Sequence, residues 1–466
     1  MKKVLTLFLA VCMLISIIPM AVSAETIIEP SKPSVSIPEN ITTVYVGGTN
    51  ANDSNDGTAN APYATFEKAY NAAITANGTA DRKIFVQGDI KAFPDAYDKL
   101  ISYEAAHYLL GDYDGGTVYV CGDSNDVPAI DLATSSTSLE SKMACAFTLG
   151  ADMVFDSIKF DSSDEKNKFI CAALHDLTLG DNILNGQGNL TVNGTVFKST
   201  NDKTPNTTYD DKLSAQMDAD DTDKVIISIY SGTYHTIVAG CRATSTKCAC
   251  DHSNPIVLNI YGGECTSKIN ASNGSINSQN ITLNIYDAKL ADSVKIASDN
   301  TSITATLNLY DASLDGNIGT GLDVINRYYA VYAGVQNTAV NTDTTDDIPD
   351  NTYSVRFVGV IDSLDYEEVG FEISTAANGE ITGGRCEKLY TSVVGDGDDY
   401  TASELGGNYI FAYAIKDIPT SVGTVTFTVK PYYVVKVNEV PTTYYGTAYT
   451  VTYNAEGYVS SSAIAN

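Results

Sequence analysis

Four stretches of the chain alternate apolar and polar residues in the same phase and end in tyrosine. They are Ile227-Ser228-Ile229-Tyr230, Leu258-Asn259-Ile260-Tyr261, Leu283-Asn284-Ile285-Tyr286 and Leu307-Asn308-Leu309-Tyr310. Period-two alternation predicts short strands with one face turned inward. The inward columns are Ile227, Leu258, Leu283, Leu307 and Ile229, Ile260, Ile285, Leu309; Ser228, Asn259, Asn284 and Asn308 point outward. The tyrosines lie 31, 25 and 24 residues apart, the length of one strand-and-turn coil of a solenoid. A single coil cannot bury its apolar face, so the four are expected to stack into one core. Gly232, Gly263, Ala288 and Ala312, two residues after each tyrosine, suit a tight bend. Four residues after come Tyr234, Cys265, Leu290 and Leu314, which places Cys265 in the core as a small hydrophobe. Eight after come Val238, Ile269, Val294 and Ile318, read as a second inward column.

Weaker rungs precede these at Val118-Tyr119-Val120, Met153-Val154-Phe155 with Ile158, Leu177-Thr178-Leu179 and Leu190-Thr191-Val192. Residues 199–224 are polar and read as an inserted loop. Near the start, Phe66, Ala69, Tyr70 and Ala73 recur at helical spacing, and such a helix would cover the open edge of the first coil. After a polar stretch at 336–351, a different pattern begins. Tyr353–Val360, Val369–Ile373, Tyr409–Ile415, Val425–Val429 and Tyr449–Tyr453 are strand-like runs at the spacing of a β-sandwich.

The segment Val44-Tyr45-Val46-Gly47-Gly48, followed by the polar run from Asn52 to Gly57 and by Pro62-Tyr63-Ala64-Thr65-Phe66-Glu67-Lys68-Ala69, resembles the opening of the pectate-lyase-like right-handed β-helix superfamily. The resemblance implies a right-handed parallel β-helix over about 42–335, and with it a polysaccharide lyase or glycoside hydrolase. The C-terminal strands resemble a β-sandwich module of secreted bacterial surface proteins. The expected architecture is therefore all-β: residues 1–24 a signal peptide, 25–41 a linker, 42–335 a right-handed parallel β-helix with a short N-terminal capping helix, 336–351 a linker, and 352–466 a β-sandwich.

Lys2 and Lys3 before an apolar run, with Val22-Ser23-Ala24 at its end, read as a secretory signal. No later stretch is apolar enough to span a membrane, so the mature chain is expected outside the cell, free or held at its surface. Removing the two signal lysines takes the net charge from −29 to −31. So negative a surface disfavours nucleic acid, anionic lipid and polyuronates as partners.

Catalytic signals are absent. The five arginines, at 82, 242, 327, 356 and 385, stand beside no paired aspartates, and Asn341-Thr342-Asp343 lies in the inter-domain linker. Asp287 and Asp311, each following a repeat tyrosine, read as solvated turn residues rather than an acid–base pair. The run Asn52–Gly57 has the look of a calcium loop, but Tyr63 stands where the closing glutamate belongs, leaving at most weak calcium binding at acidic turns. Cys241, Cys248, Cys250 and His252 crowd into the loop that lengthens the first repeat. Three thiols and an imidazole can hold zinc; in a secreted protein a disulfide or plain thiols is the preferred account.

The remaining candidate surface is the pair of outward ladders. Tyr230, Tyr261, Tyr286 and Tyr310 lie beside Asn259, Asn284 and Asn308, offering rings for stacking and amides for hydrogen bonds to a neutral glycan. Packing of the rings on one another is the competing reading. The expected function is a secreted, carbohydrate-associated or adhesin-like interaction protein, partnered by a polysaccharide or another cell-surface component; the alternative is a polysaccharide lyase or glycoside hydrolase.

Overall fold

The computed structural model describes residues 35–464 apart from 77–79, 95–99, 102–104, 134–143, 164, 166, 196, 199–223, 241, 244–253, 273–279, 338–339, 341–350, 362–366, 376–387, 391–408 and 438–439. The expected signal peptide, residues 199–223 of the inserted loop and the Asn341-Thr342-Asp343 tripeptide therefore lie outside the described residues. Strand accounts for 53% and helix for 7% of the described residues, which makes the fold all-β.

The N-terminal portion is built from parallel sheets whose strand order follows chain order. The largest has ten strands, running from Thr42–Val46 through Arg82–Val86, Val118–Cys121, Met153–Asp156, Leu177–Leu179, Val225–Ile229, Ile256–Ile260, Asn280–Ile285 and Thr304–Leu309 to Val324–Arg327. A nine-stranded sheet runs from Leu100–Ile101 to Lys289–Leu290, and a four-stranded sheet from Ile90–Lys91 to Ile183–Asn185. Apart from the antiparallel pair formed by Leu100–Ile101 and Ala105–Leu109, pairings in these sheets are parallel. The weaker rungs at 118, 153 and 177 share the ten-stranded sheet with the tyrosine repeats.

Register matches the alternation. Ile227, Leu258, Leu283, Leu307 and Ile325 pair rung to rung, as do Ile229, Ile260, Ile285 and Leu309. The aliphatic residues of the four tyrosine repeats in these two columns are at most 1% exposed. Tyr234, Cys265 and Leu290 also align. The second column is corrected. A register shift between Tyr234 and Thr236 brings Ile237, not Val238, opposite Ile269; Ile296, not Val294, follows, and Ile318 completes it. Counting from the tyrosine cannot reveal a bulge, which inserts a residue without changing composition.

The helix Phe66–Thr75 forms where it was expected and buries Phe66, Ala69, Tyr70 and Ala73 completely. The Thr65 hydroxyl caps it by accepting from Lys68 N. Asp53, in the calcium-like run, accepts from Ala64 N at 2.9 Å and from Thr65 N at 3.0 Å. That carboxylate ties the polar loop to the helix start, as a structural turn would.

The C-terminal portion is antiparallel. One sheet contains Val331–Asn337, Thr352–Ile361, Tyr409–Pro419 and Lys388–Tyr390; the other contains Glu368–Thr375, Val425–Val437, Val440–Tyr445, Tyr449–Asn454 and Gly457–Ala463. Both contribute to a core of Val355, Phe357, Phe371, Phe411, Phe427 and Val451. Val331–Asn337 pairs antiparallel with Thr352–Ile361, so the change from parallel to antiparallel falls between Arg327 and Val331, and the expected boundary at 335/336 lies inside a strand.

Placing a carboxylate at Ile260, 1% exposed between Ile229 and Ile285, leaves it unpaired in a stacked interior, at a cost of several kcal/mol or more. Ile260→Asp is expected to abolish cooperative unfolding by circular dichroism. Asn259→Asp keeps the acceptor used by Asn284 and loses only a 3.4 Å donation to Ser228, so it should cost no more than about 1 kcal/mol. Equal destabilisation of the two variants would refute the register.

Candidate functional site

The four repeat tyrosines stand at the end of their strands, half-buried at the corner. Parallel in-register pairing sets successive rungs one strand spacing apart, about 4.8 Å, close to the preferred separation of stacked rings. Tyr230 and Tyr261 lie 4.8 Å apart, Tyr261 and Tyr286 4.7 Å, and Tyr286 and Tyr310 4.4 Å, with interplanar angles of 29°, 10° and 16°. Burial pushes the phenols of all four rings upward.

Beside the rings runs an amide ladder. Asn284 Nδ2 donates to Asn259 Oδ1 at 2.8 Å, and Asn308 Nδ2 to Asn284 Oδ1 at 2.7 Å. The structure thus brings Tyr230, Tyr261, Tyr286, Tyr310, Asn259, Asn284 and Asn308 together on one ridge. It also adds a rung that the repeat pattern did not disclose. Asn326 Nδ2 donates to Asn308 Oδ1 at 2.8 Å, and Tyr328 stacks on Tyr310 at 4.7 Å and 15°. Ile325-Asn326-Arg327-Tyr328 carries the motif, but only 18 residues separate Asn326 from Asn308, and Arg327 occupies the inner aliphatic position. At the last rung that position needs no burial: Arg327 Nε donates to Asp315 Oδ1 at 2.7 Å.

The ridge ends against the C-terminal portion. Tyr444, 5% exposed, meets Tyr310 at 5.4 Å and 46°. Since the rings stack on one another, the middle of the ladder presents edges and hydroxyls outward, not faces. The packing account therefore describes these rings, and a sugar cannot stack on faces already covered.

Carboxylates gather at the corners of the coils, where the sheet ladder lapses and backbone N–H groups need acceptors. Asp89 accepts from Ala129 N at 2.7 Å, Asp81 from Thr117 N at 3.0 Å, Asp152 from Asp176 N at 2.8 Å, Asp156 from Asp181 N at 2.8 Å, and Asp176 from Ile226 N at 2.6 Å. In each case the partner is a residue of a later pass of the chain. Asp152 and Asp176 are thereby neighbours on adjacent rungs, with His175 Nδ1 3.9 Å from Asp152. Burial, reinforced by Asp152, raises the Asp176 carboxyl to about 6. This pairing was missed because its signal is one aspartate before each of two weak strands, invisible until the rungs are aligned. Asp287 is exposed, and Asp311 caps a 3-10 turn by accepting from Ser313 N at 2.8 Å.

Cys241, Cys248, Cys250 and His252 lie outside the described residues, so neither zinc nor a disulfide is placed there. Among the described residues, no group of three or more His, Cys, Asp or Glu is arranged to hold a metal ion. Cys121, Cys145, Cys171 and Cys265 are buried. No helix among the described residues is long and apolar enough to cross a membrane.

No protein-family profile, no curated protein and no solved structure matches the chain.

Truncating a central ring removes two stacked contacts. Tyr286→Ala should lower stability by about 1–3 kcal/mol, whereas Tyr286→Phe keeps the stack and should cost less than about 1 kcal/mol. Denaturant unfolding monitors both; indistinguishable midpoints for the two variants would deny the stack any energetic weight.

Asp176 gives the fold a pH signature. Its folded value of about 6 lies above its ordinary 3.8, so the folded state holds the proton more tightly. Stability attributable to this group is full below about pH 4 and declines as pH rises to about 6. A two-unit shift corresponds to about 3 kcal/mol, reduced to about 1–2 kcal/mol by the partial exposure of the side chain. Asp176→Asn keeps an acceptor for Ile226 N and should flatten that part of the stability profile. An unchanged slope in the variant would assign the pH dependence elsewhere.

Proposed function

We propose that the protein is an extracellular or cell-surface interaction protein whose parallel portion is a right-handed β-helix serving as a rigid platform, and that the tyrosine–asparagine ridge holds a neutral polysaccharide or another surface component. The observation that carries the reading is the unbroken double ladder of Tyr230, Tyr261, Tyr286, Tyr310 and Tyr328 with Asn259, Asn284, Asn308 and Asn326. It repeats one donor-and-acceptor set at every rung, which suits a polymer that is itself repetitive. An amide that donates one N–H to its neighbour retains a second donor, and its carbonyl a second lone pair. The acidic composition favours an uncharged ligand over a polyanion. The ligand would lie along hydroxyl and ring edges, with amide contacts beside them.

A polysaccharide lyase or glycoside hydrolase is the second reading, favoured by the Asp152–Asp176 pair, the raised Asp176 carboxyl and the nearby imidazole. Against it, both carboxylates already accept backbone N–H groups.

A glycan array with the secreted chain, followed by titration of Tyr286→Phe with Tyr310→Phe, separates the readings. Both rings still stack in that variant, so folding is kept while two hydroxyls are lost. At about 0.5–1.5 kcal/mol for each hydrogen bond, affinity should fall on the order of tenfold. Full affinity in the variant would remove the ridge as the binding surface. Release of reducing or unsaturated ends, abolished in Asp176→Asn, would instead establish the enzyme.

A further inference from the structure

Lys168 begins the strand Lys168–Cys171 and pairs with Cys145 on one side and Leu190 on the other. Alternation along this strand puts it on the same face as Ile170, a member of the main core. The residue is 0% exposed. Its Nζ donates to Asn185 Oδ1 at 2.8 Å, to Phe160 O at 3.2 Å and to Gln187 O. Those acceptors are neutral. A charged ammonium held in the interior by carbonyl oxygens alone is a costly arrangement, and burial pulls its value down to about 8, so that about a tenth of molecules carry the neutral amine at pH 7. The geometry sets a nucleophile against a carboxamide. Asn185 Nδ2 is turned away, donating to Gly188 O at 3.3 Å, which leaves the carbonyl side toward the amine. Asp161 flanks the pair. Its Oδ1 accepts from Gln187 N at 2.8 Å, it packs so closely on Gly186 that a Cβ there would lie 2.4 Å from Oδ1, and it is the first among the charges acting on Lys168.

We propose that Lys168 and Asn185 become joined by an intramolecular isopeptide bond, a self-made crosslink between successive passes of the chain. Neutral Nζ attacks Asn185 Cγ, forming the Nζ–Cγ bond; the Cγ–Nδ2 bond breaks, and the proton lost by Nζ passes to Nδ2, which leaves as ammonia. No oxidant or cofactor enters. The product is neutral, so the buried charge disappears, and the remaining N–H still donates to a carbonyl. Lys168 sits in the nine-stranded sheet and Asn185 in the four-stranded sheet, so the bond would tie two sheets covalently.

The test is peptide mapping and intact mass of the purified full-length secreted chain, beside Lys168→Met. Asn185 precedes Gly186, and cyclisation at that Asn-Gly step also releases ammonia, so mass alone does not decide. The expected result in the wild-type chain is a branched peptide joining Lys168 to Asn185, a deficit of one ammonia carried by that peptide, and resistance to trypsin after Lys168; Lys168→Met gives no branched peptide. Tryptic cleavage after Lys168 in the wild-type chain, with no branched peptide joining it to Asn185, overturns the proposal. Should Lys168→Met fail to fold, the wild-type peptide map decides by itself.

Discussion

The structure depends on in-register parallel stacking. Once each rung lies directly over the last, every position becomes a column, and a residue type that tolerates its own kind at about 4.8 Å is selected in that column. Aliphatic residues fill the inner columns because their methyl groups interlock. Asparagine fills an outer one because an amide can donate to the amide below and accept from the one above. Tyrosine fills the corner because its ring packs face to face at that distance. The last five strands of the ten-stranded sheet are thus held by three kinds of like-on-like contact acting through one geometric repeat.

The same geometry accounts for much of the acidity. The chain turns between parallel strands where backbone donors lose their strand partners, and an aspartate of the preceding strand passage supplies the acceptor, as Asp81 does for Thr117 and Asp156 for Asp181. A highly negative chain therefore need not be one adapted to a cationic ligand. These carboxylates serve the coil, which also weakens the case for reading Asp152 and Asp176 as acid and base. Where a titrating group is buried more deeply than its neighbours, the cost emerges as a pH dependence of folding.

The two portions of the molecule meet where the ladder ends. Tyr328 completes the column of rings, Tyr444 covers Tyr310 from the C-terminal portion, and Gly446 approaches Ala330 closely enough that a Cβ would lie 1.9 Å from its carbonyl oxygen. The open edge of a parallel sheet invites pairing with other chains. The helix Phe66–Thr75 packs on the first two strands of the ten-stranded sheet, and Tyr444 of the antiparallel portion packs on Tyr310 near its last.

The repeat, the inward columns, the capping helix and the change to antiparallel strands were legible in the amino-acid sequence because each depends on periodicity, and periodicity survives without coordinates. The Tyr–Asn ridge was legible for the same reason as far as Tyr310. What the tertiary structure decided was every relation that periodicity does not carry. A bulge moved Ile237, and a two-residue register shift between Lys289–Leu290 and Lys295–Ala297 moved Ile296, into the column where Val238 and Val294 had been expected; a short final crossover brought Asn326 and Tyr328 onto the ridge; stacking consumed the ring faces that a sugar would need. Asp152 with Asp176, and Lys168 with Asn185, are pairs set by how coils of unequal length align. Coil length is free to vary in the loops while the strands stay in register, so local pattern determines which residues face inward, and only the folded stack determines which of them meet.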